Sequence, residues 1–206
     1  MQVAVLTFDG FNEIDSFVAL NILNRLRPKG WEAVIVGPCD HVTSMNGVVV
    51  QSQRRLDFLP EADAVIVGSG VKSVELAADA GLLAQIRLDP RRQLIASQCS
   101  GALLLAKLGL LEGCPACTDL STKRWVVEAG IPVLDQPFYA QGNVATAGGC
   151  LASQYLATWI ILRRGSREDA EAALKRVTPV GQQADYIAQA FAAVEPYLPK
   201  TIAAAA

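Results

Sequence analysis

The chain opens on an apolar run over residues 2–8, whose length and branched apolar content predict a buried strand ended by Asp9-Gly10. Beyond it, Ile14, Phe17, Val18, Leu20 and Leu23 recur at helical spacing. Asn12 stands where a cap belongs, Glu13 and Asp15 fall in the first turn, and Pro28 with Gly30 closes the segment, so an amphipathic helix is predicted. Residues 31–36, 64–67 and 94–98 read as further core strands, and Asn46-Gly47 ahead of residues 48–50 reads as part of a short hairpin. Helical segments are predicted over 74–87, from Ser100 through Ala106, near 121–129, along the apolar stretch 150–163, and near 167–176 and 184–194, with strands near 138–140 and 144–147. Such alternation implies an α/β fold, a mainly parallel sheet covered by helices on both faces. No linker, repeat or charge block divides it, so residues 1–198 are read as a single domain and 199–206, ending in four alanines, as a disordered tail.

Composition narrows the function classes. Of 206 residues, 51% are apolar and 18% charged, which excludes a disordered chain and supplies a large core. Eighteen Lys plus Arg against 20 Asp plus Glu leave a net charge of −2, scattered along the chain, so neither nucleic acid nor an anionic membrane is expected as a partner. The richest apolar stretch, 150–162, is interrupted by Ser153 and Gln154 and falls short of the roughly 20 residues a membrane span needs. The first residues lack the basic leader of a secretory peptide, and a soluble cytoplasmic protein is expected. Five cysteines, an odd number, are read as thiols rather than a disulfide framework. Ser-His-Asp or His-rich zinc chemistry would have to use the single histidine, His41, and neither a metal nor a cofactor is expected.

In an open α/β sheet ligands collect beyond the carboxyl ends of the strands. At Gln98-Cys99-Ser100-Gly101 a strand runs directly into a helix former. A sharp turn there would lift the thiol out of the sheet, and the positive end of the helix would favour thiolate; the alternative is a buried cysteine serving as a small hydrophobe. Gly68-Ser69-Gly70-Val71 follows another strand, where the Gly70 N–H paired with the Ser100 N–H could form an oxyanion hole, or where the glycines simply make a turn. Glu13-Ile14-Asp15 could aim a carboxyl at Cys99 if the first and fourth strands are neighbours, or could merely complement a helix dipole. Cys114-Pro115-Ala116-Cys117 has the spacing of a redox pair or half a zinc site, but it follows a helix end and has no partner half, so neither use is expected. Cys150 reads as a helix-entry residue packed in the core, and His41 as a loop histidine.

Taken together, Val5-Leu6-Thr7-Phe8-Asp9-Gly10-Phe11 with Glu13 and Asp15, Ile66-Val67-Gly68-Ser69-Gly70, Ile95-Ala96-Ser97-Gln98-Cys99-Ser100-Gly101-Ala102, Gly109-Leu110-Leu111-Glu112-Gly113 and Ala145-Thr146-Ala147-Gly148-Gly149 resemble the ThiJ/PfpI superfamily over about residues 2–165. The resemblance implies a flavodoxin-like three-layer sandwich related to class I glutamine amidotransferases, with Cys99 on a nucleophile elbow, and a homodimer. Within that superfamily the chain is most similar to isonitrile hydratases, which implies Cys99, Asp15 and Ser100 as catalytic residues, Ser100 standing where the family commonly has Thr. Gly70, Ser69, Gly101 and Asp119 are the residues expected around the substrate. Related peptidases carry a His after the segment ending at Gly113, where this chain has Asp119, which disfavours peptidase or glutaminase activity. The implied reaction is hydration of an isonitrile to an N-substituted formamide through a thioimidate on Cys99. Glyoxalase or deglycase chemistry on an aldehyde, a cysteine oxidation sensor and a ligand-sensing domain are the alternatives.

Overall fold

The computed structural model describes residues 1–199, so the expected tail, apart from Pro199, lies outside the described residues. In chain order the elements are β1 (Gln2–Leu6), α1 (Glu13–Leu23), β2 (Glu32–Gly37), β3 (His41–Thr43), β4 (Val49–Gln51), β5 (Arg54–Arg55), β6 (Ala64–Val67), α2 (Ser73–Ala78), α3 (Ala80–Leu83), β7 (Leu94–Gln98), α4 (Gly101–Lys107), α5 (Lys123–Glu128), β8 (Phe138–Gln141), β9 (Val144–Ala147), α6 (Ser153–Arg164), α7 (Arg167–Lys175) and α8 (Gln183–Val194). A seven-stranded sheet runs β5-β2-β1-β6-β7-β9-β8, parallel throughout except for β8, which pairs antiparallel with β9 at the edge. With helices on both faces this is the expected flavodoxin-like α/β sandwich. The Asn46-Gly47 signal does mark a hairpin, in which β3 and β4 form a small antiparallel ribbon apart from the main sheet.

The strands read as continuous apolar runs because each is covered twice. Val3, Ala64, Ile66, Leu94 and Ala96 point to one face, where they pack against Ile22 and Leu23 of α1, Leu156, Trp159 and Ile160 of α6, Leu174 of α7 and Phe191 of α8. Their neighbours Ala4, Leu6, Val65, Val67 and Ile95 point to the other, against Ala77 of α2, Leu103 and Leu104 of α4 and Val126 of α5. The two-residue period of the pleat thus divides each strand between two cores.

Two expectations are corrected, and one condition is not met. The segment predicted as helical over 74–87 is two short helices, because Asp79 ends α2 in an extended conformation and caps α3 by accepting from the Leu82 N–H at 2.9 Å. The long apolar helix begins at Ser153, and Cys150–Ala152 forms a separate 3-10 turn entered from Gly149 at φ +89°. The first and fourth core strands are not neighbours, since β6 lies between β1 and β7. No helix among the described residues is long and apolar enough to cross a membrane.

Candidate active site

Parallel strands deliver their carboxyl ends to one edge, and the site is built there. Cys99 follows β7 directly and is the only non-glycine residue among those described with a positive φ, 44°. This left-handed conformation is costly for a residue with a side chain and needs surroundings that enforce it. The Cys99 N–H donates to Ala147 O at 2.8 Å, and its carbonyl accepts from Thr118 Oγ1 at 2.9 Å and from the Ala102 N–H at 3.1 Å. Gly101 completes the elbow from behind, where a Cβ would lie 2.5 Å from Val67 O and 2.8 Å from Gly68 O. Only glycine lets α4 begin this close to the end of β6, so Gly101 supports the turn rather than lining the pocket.

Asp15 reaches the elbow across β6. It is the third residue of α1, whose start is fixed by the Asn12 side chain accepting from the Ile14 N–H at 3.1 Å and by the Asn12 N–H donating to Ser69 O at 3.0 Å. The Asp15 carboxyl is fully buried. Its Oδ2 accepts from Ser69 Oγ, while Oδ1 has no N–H or O–H donor among the described residues. Ser153 Oγ donates to the Asp15 carbonyl at 2.7 Å and ties the turn to α6. Glu13 faces elsewhere, accepting from Ser44 Oγ and, at 2.9 Å, from Asn46 Nδ2, and so braces the hairpin turn that carries Met45.

The sulfurs of Cys99 and Cys150 and a carboxylate oxygen of Asp15 lie within 4.8 Å of one another. This places Cys150, expected in the core, half-buried in the site instead. Two amides hold the sulfurs: Gln98 Nε2 lies 3.4 Å from Cys99 Sγ while donating to Gly149 O at 2.8 Å, and Asn12 Nδ2 donates to Cys150 Sγ at 3.3 Å. The three side chains are also the group placed closely enough to share a metal ion among the described residues, although both thiols would have to lose protons first.

The protonation of Cys99 differs from expectation. Burial pushes the thiol up, and the charge and hydrogen bonding of Asp15 push it further, with only the Gln98 amide opposing. At 4% exposure the desolvation of a thiolate outweighs the helix-end effect. Burial first, and then the hydrogen bonding and charge of Asp15, push Cys150 up as well, opposed by the Asn12 amide and by Cys99. Both shifts favour the thiol forms, and both sulfurs lie within 4.8 Å of an Asp15 carboxylate oxygen.

Ser69, Gly70, Ser100 and Asp119 line the same cavity of about 450 Å³, with Asn12, Asp15, Cys99 and Cys150 at its floor and Met45, Val71, Val74 and Trp125 making an apolar mouth. The expected oxyanion hole is altered. The Gly70 N–H is taken up by Ser100 Oγ at 3.1 Å, and that oxygen also pairs with Ser73 Oγ at 2.7 Å. Gly70 must be glycine for another reason: a Cβ there would stand 2.4 Å from Gly10 O. Asp119 accepts from the Thr122 N–H at 2.9 Å through Oδ1, and its buried Oδ2 has no partner among the described residues. His41 is exposed on β3 and does not line the cavity. Cys114 and Cys117 are buried and do not line it either.

Asn12, Gln98, Thr118 and Cys150 were not singled out as site residues by sequence. Cys150 did carry a signal, because it lies just past a strand end, three residues beyond Ala147, which pairs with Gln98.

Among curated proteins none matches the chain. Among solved structures it is similar to Schizosaccharomyces pombe DJ-1, with a TM-score of 0.74 at 20% identity over 87% of this chain and 100% of that one. A ThiJ/PfpI family protein from Pseudomonas syringae gives a TM-score of 0.75 at 21% identity over 98% of this chain and 90% of the other. A cysteine-to-alanine mutant of a DJ-1 superfamily protein from Salmonella typhimurium gives 0.73 at 25% identity over 86% and 98%. The sequence profile described as the DJ-1/PfpI family matches residues 1–162, the stretch that holds β1, the Cys99 elbow, Asp15 and Cys150. On that match, and on the sandwich and elbow that accompany it, the chain belongs to the DJ-1/PfpI family.

Proposed function

We propose that the protein hydrates a small isonitrile to an N-substituted formamide, with Cys99 as nucleophile and Asp15 as the group that moves the proton. The observation that carries this reading is the fully buried Asp15 carboxyl with an oxygen within 4.8 Å of the Cys99 sulfur, in a pocket with no imidazole among its lining residues. Sulfur attack on the terminal carbon of R–N≡C forms an S–C bond and leaves an electron pair on that same carbon. The pair must be protonated at once. Asp15 takes the thiol proton as the sulfur attacks and delivers it to the new carbanionic carbon, giving the thioimidate R–N=CH–S–Cys99. Water then adds to the thioimidate carbon, the C–S bond breaks, the sulfur regains a proton, and R–NH–CHO leaves.

A buried thiol suits this sequence because attack and proton transfer occur together, so a standing thiolate is unnecessary. The first step places its developing charge on carbon rather than oxygen, which fits a pocket where the Gly70 N–H is already taken up by Ser100. Ser100 and Ser73 hold the Gly70 turn, and the mouth of Met45, Val71, Val74 and Trp125 supplies an apolar seat for the N-substituent.

The test is formamide production from cyclohexyl isonitrile by the wild type, Cys99→Ala and Asp15→Asn. Turnover by the wild type and its loss in both variants is expected. An active Cys99→Ala protein overturns the nucleophile, and a wild type that consumes 2-oxoaldehydes but no isonitrile overturns the substrate class.

A further inference from the structure

Cys150 has no part in the hydration chemistry, yet its sulfur lies within 4.8 Å of both the Cys99 sulfur and an Asp15 carboxylate oxygen. The chain separates the two cysteines by α4, α5 and the β8–β9 hairpin, so the fold alone makes them neighbours. Their approach is built in from two sides. Gln98 bridges the Cys99 sulfur to the carbonyl of Gly149, and Asn12 holds the Cys150 sulfur while its own N–H is fixed on Ser69. Cys99 is locked on the elbow, whereas Cys150 sits half-buried on a single 3-10 turn behind an exposed glycine. A disulfide needs about 2.05 Å between sulfurs, so side-chain rotation must close a gap of less than about 3 Å.

We infer that Cys99 and Cys150 form a reversible dithiol–disulfide couple driven by hydroperoxides, in which Cys150 is the resolving thiol that rescues an oxidised Cys99. Asp15 takes the Cys99 proton as the sulfur attacks a peroxide oxygen of ROOH. The S–O bond forms, the O–O bond breaks, and the alkoxide leaves as ROH with that proton, leaving Cys99 as sulfenic acid. Cys150 then attacks the Cys99 sulfur. The S–S bond forms, the S–O bond breaks, and the departing hydroxide takes the Cys150 proton and leaves as water. The two thiols together lose two electrons and two protons, and the hydroperoxide is reduced to an alcohol and water. A low-molecular-weight thiol returns the disulfide to the dithiol. The couple removes the hydratase nucleophile reversibly and keeps it from the irreversible sulfinate.

The experiment exposes the full chain to limiting hydrogen peroxide, blocks the remaining thiols with N-ethylmaleimide and maps the peptides by mass. The wild type should lose two hydrogens in a link between the peptides carrying Cys99 and Cys150, and dithiothreitol should reverse it. Cys150→Ser should give no such link and should accumulate Cys99 bearing two added oxygens, which dithiothreitol does not remove. A Cys114–Cys117 link in place of the Cys99–Cys150 link overturns the inference, as does wild-type sulfinate equal to that of Cys150→Ser. The wild-type map stands even if the variant misfolds. Since the readout is mass rather than turnover, a protein inactive on isonitriles leaves this test intact, and a missing link leaves the hydratase test intact.

Discussion

The molecule holds two pairs of cysteines, and they differ in an instructive way. Cys114 and Cys117 have the spacing that draws attention in a sequence, yet both are buried away from the cavity, Cys117 at 0% exposure with its N–H on Thr146 Oγ1. Cys99 and Cys150 are distant in sequence and meet beside a buried carboxyl and two amides. Burial pushes all four thiols up, so acidity alone does not separate the pairs. What separates them is a proton acceptor within reach and a cavity through which a reagent can arrive.

The contrast can be broken most sharply by substitution. Cys99→Ala should take isonitrile turnover below detection, whereas Cys117→Ala should leave it within about twofold, since no reacting atom touches that thiol. Equal losses in both would erase the distinction. Next in size is Asp15→Asn, which removes the proton carrier and should lower kcat about a hundredfold or more. The same change removes the charge that pushes Cys99 up, so iodoacetamide labelling of Cys99 should rise at lower pH than in the wild type. A variant with reduced turnover and an unshifted labelling profile would deny Asp15 its electrostatic role.

Smaller effects concern stability. Cys117→Ala deletes a fully buried sulfur and should cost about 1 kcal/mol in urea unfolding. The Cys117 thiol is pushed up to about 12 by burial, while an unfolded cysteine ionises near ~8.5. The folded chain keeps a proton that the unfolded chain releases, so this contribution is complete below the unfolded value and is lost as pH climbs towards 12. Urea midpoints should accordingly fall above about pH 8.5, and Cys117→Ala should flatten part of that decline.

Most of the sheet was legible because each strand is a short apolar run closed by a turn, and 94–98 was read with its observed limits. The elbow was legible for the same reason: a strand ended and a helix former began with a thiol between them. Cys150 escaped because its neighbourhood depends on strand order, which places β9 beside β7. Gln98 and Thr118 escaped because their work is a hydrogen bond to a residue brought near only by the fold. The direction of the Cys99 shift was misread because a helix start is visible in sequence whereas the depth of burial is not.

The apolar mouth has a consequence for how such a protein can change over generations. Met45, Val71, Val74 and Trp125 belong to the β3–β4 turn, the entry and first turn of α2, and α5, whereas the elbow hydrogen bonds run to Ala147, Thr118 and Ala102. Mutations at the mouth can therefore accumulate without disturbing the reacting atoms. Substrate range and chemical competence are thus inherited separately, and a lineage can try new compounds while keeping the same reaction.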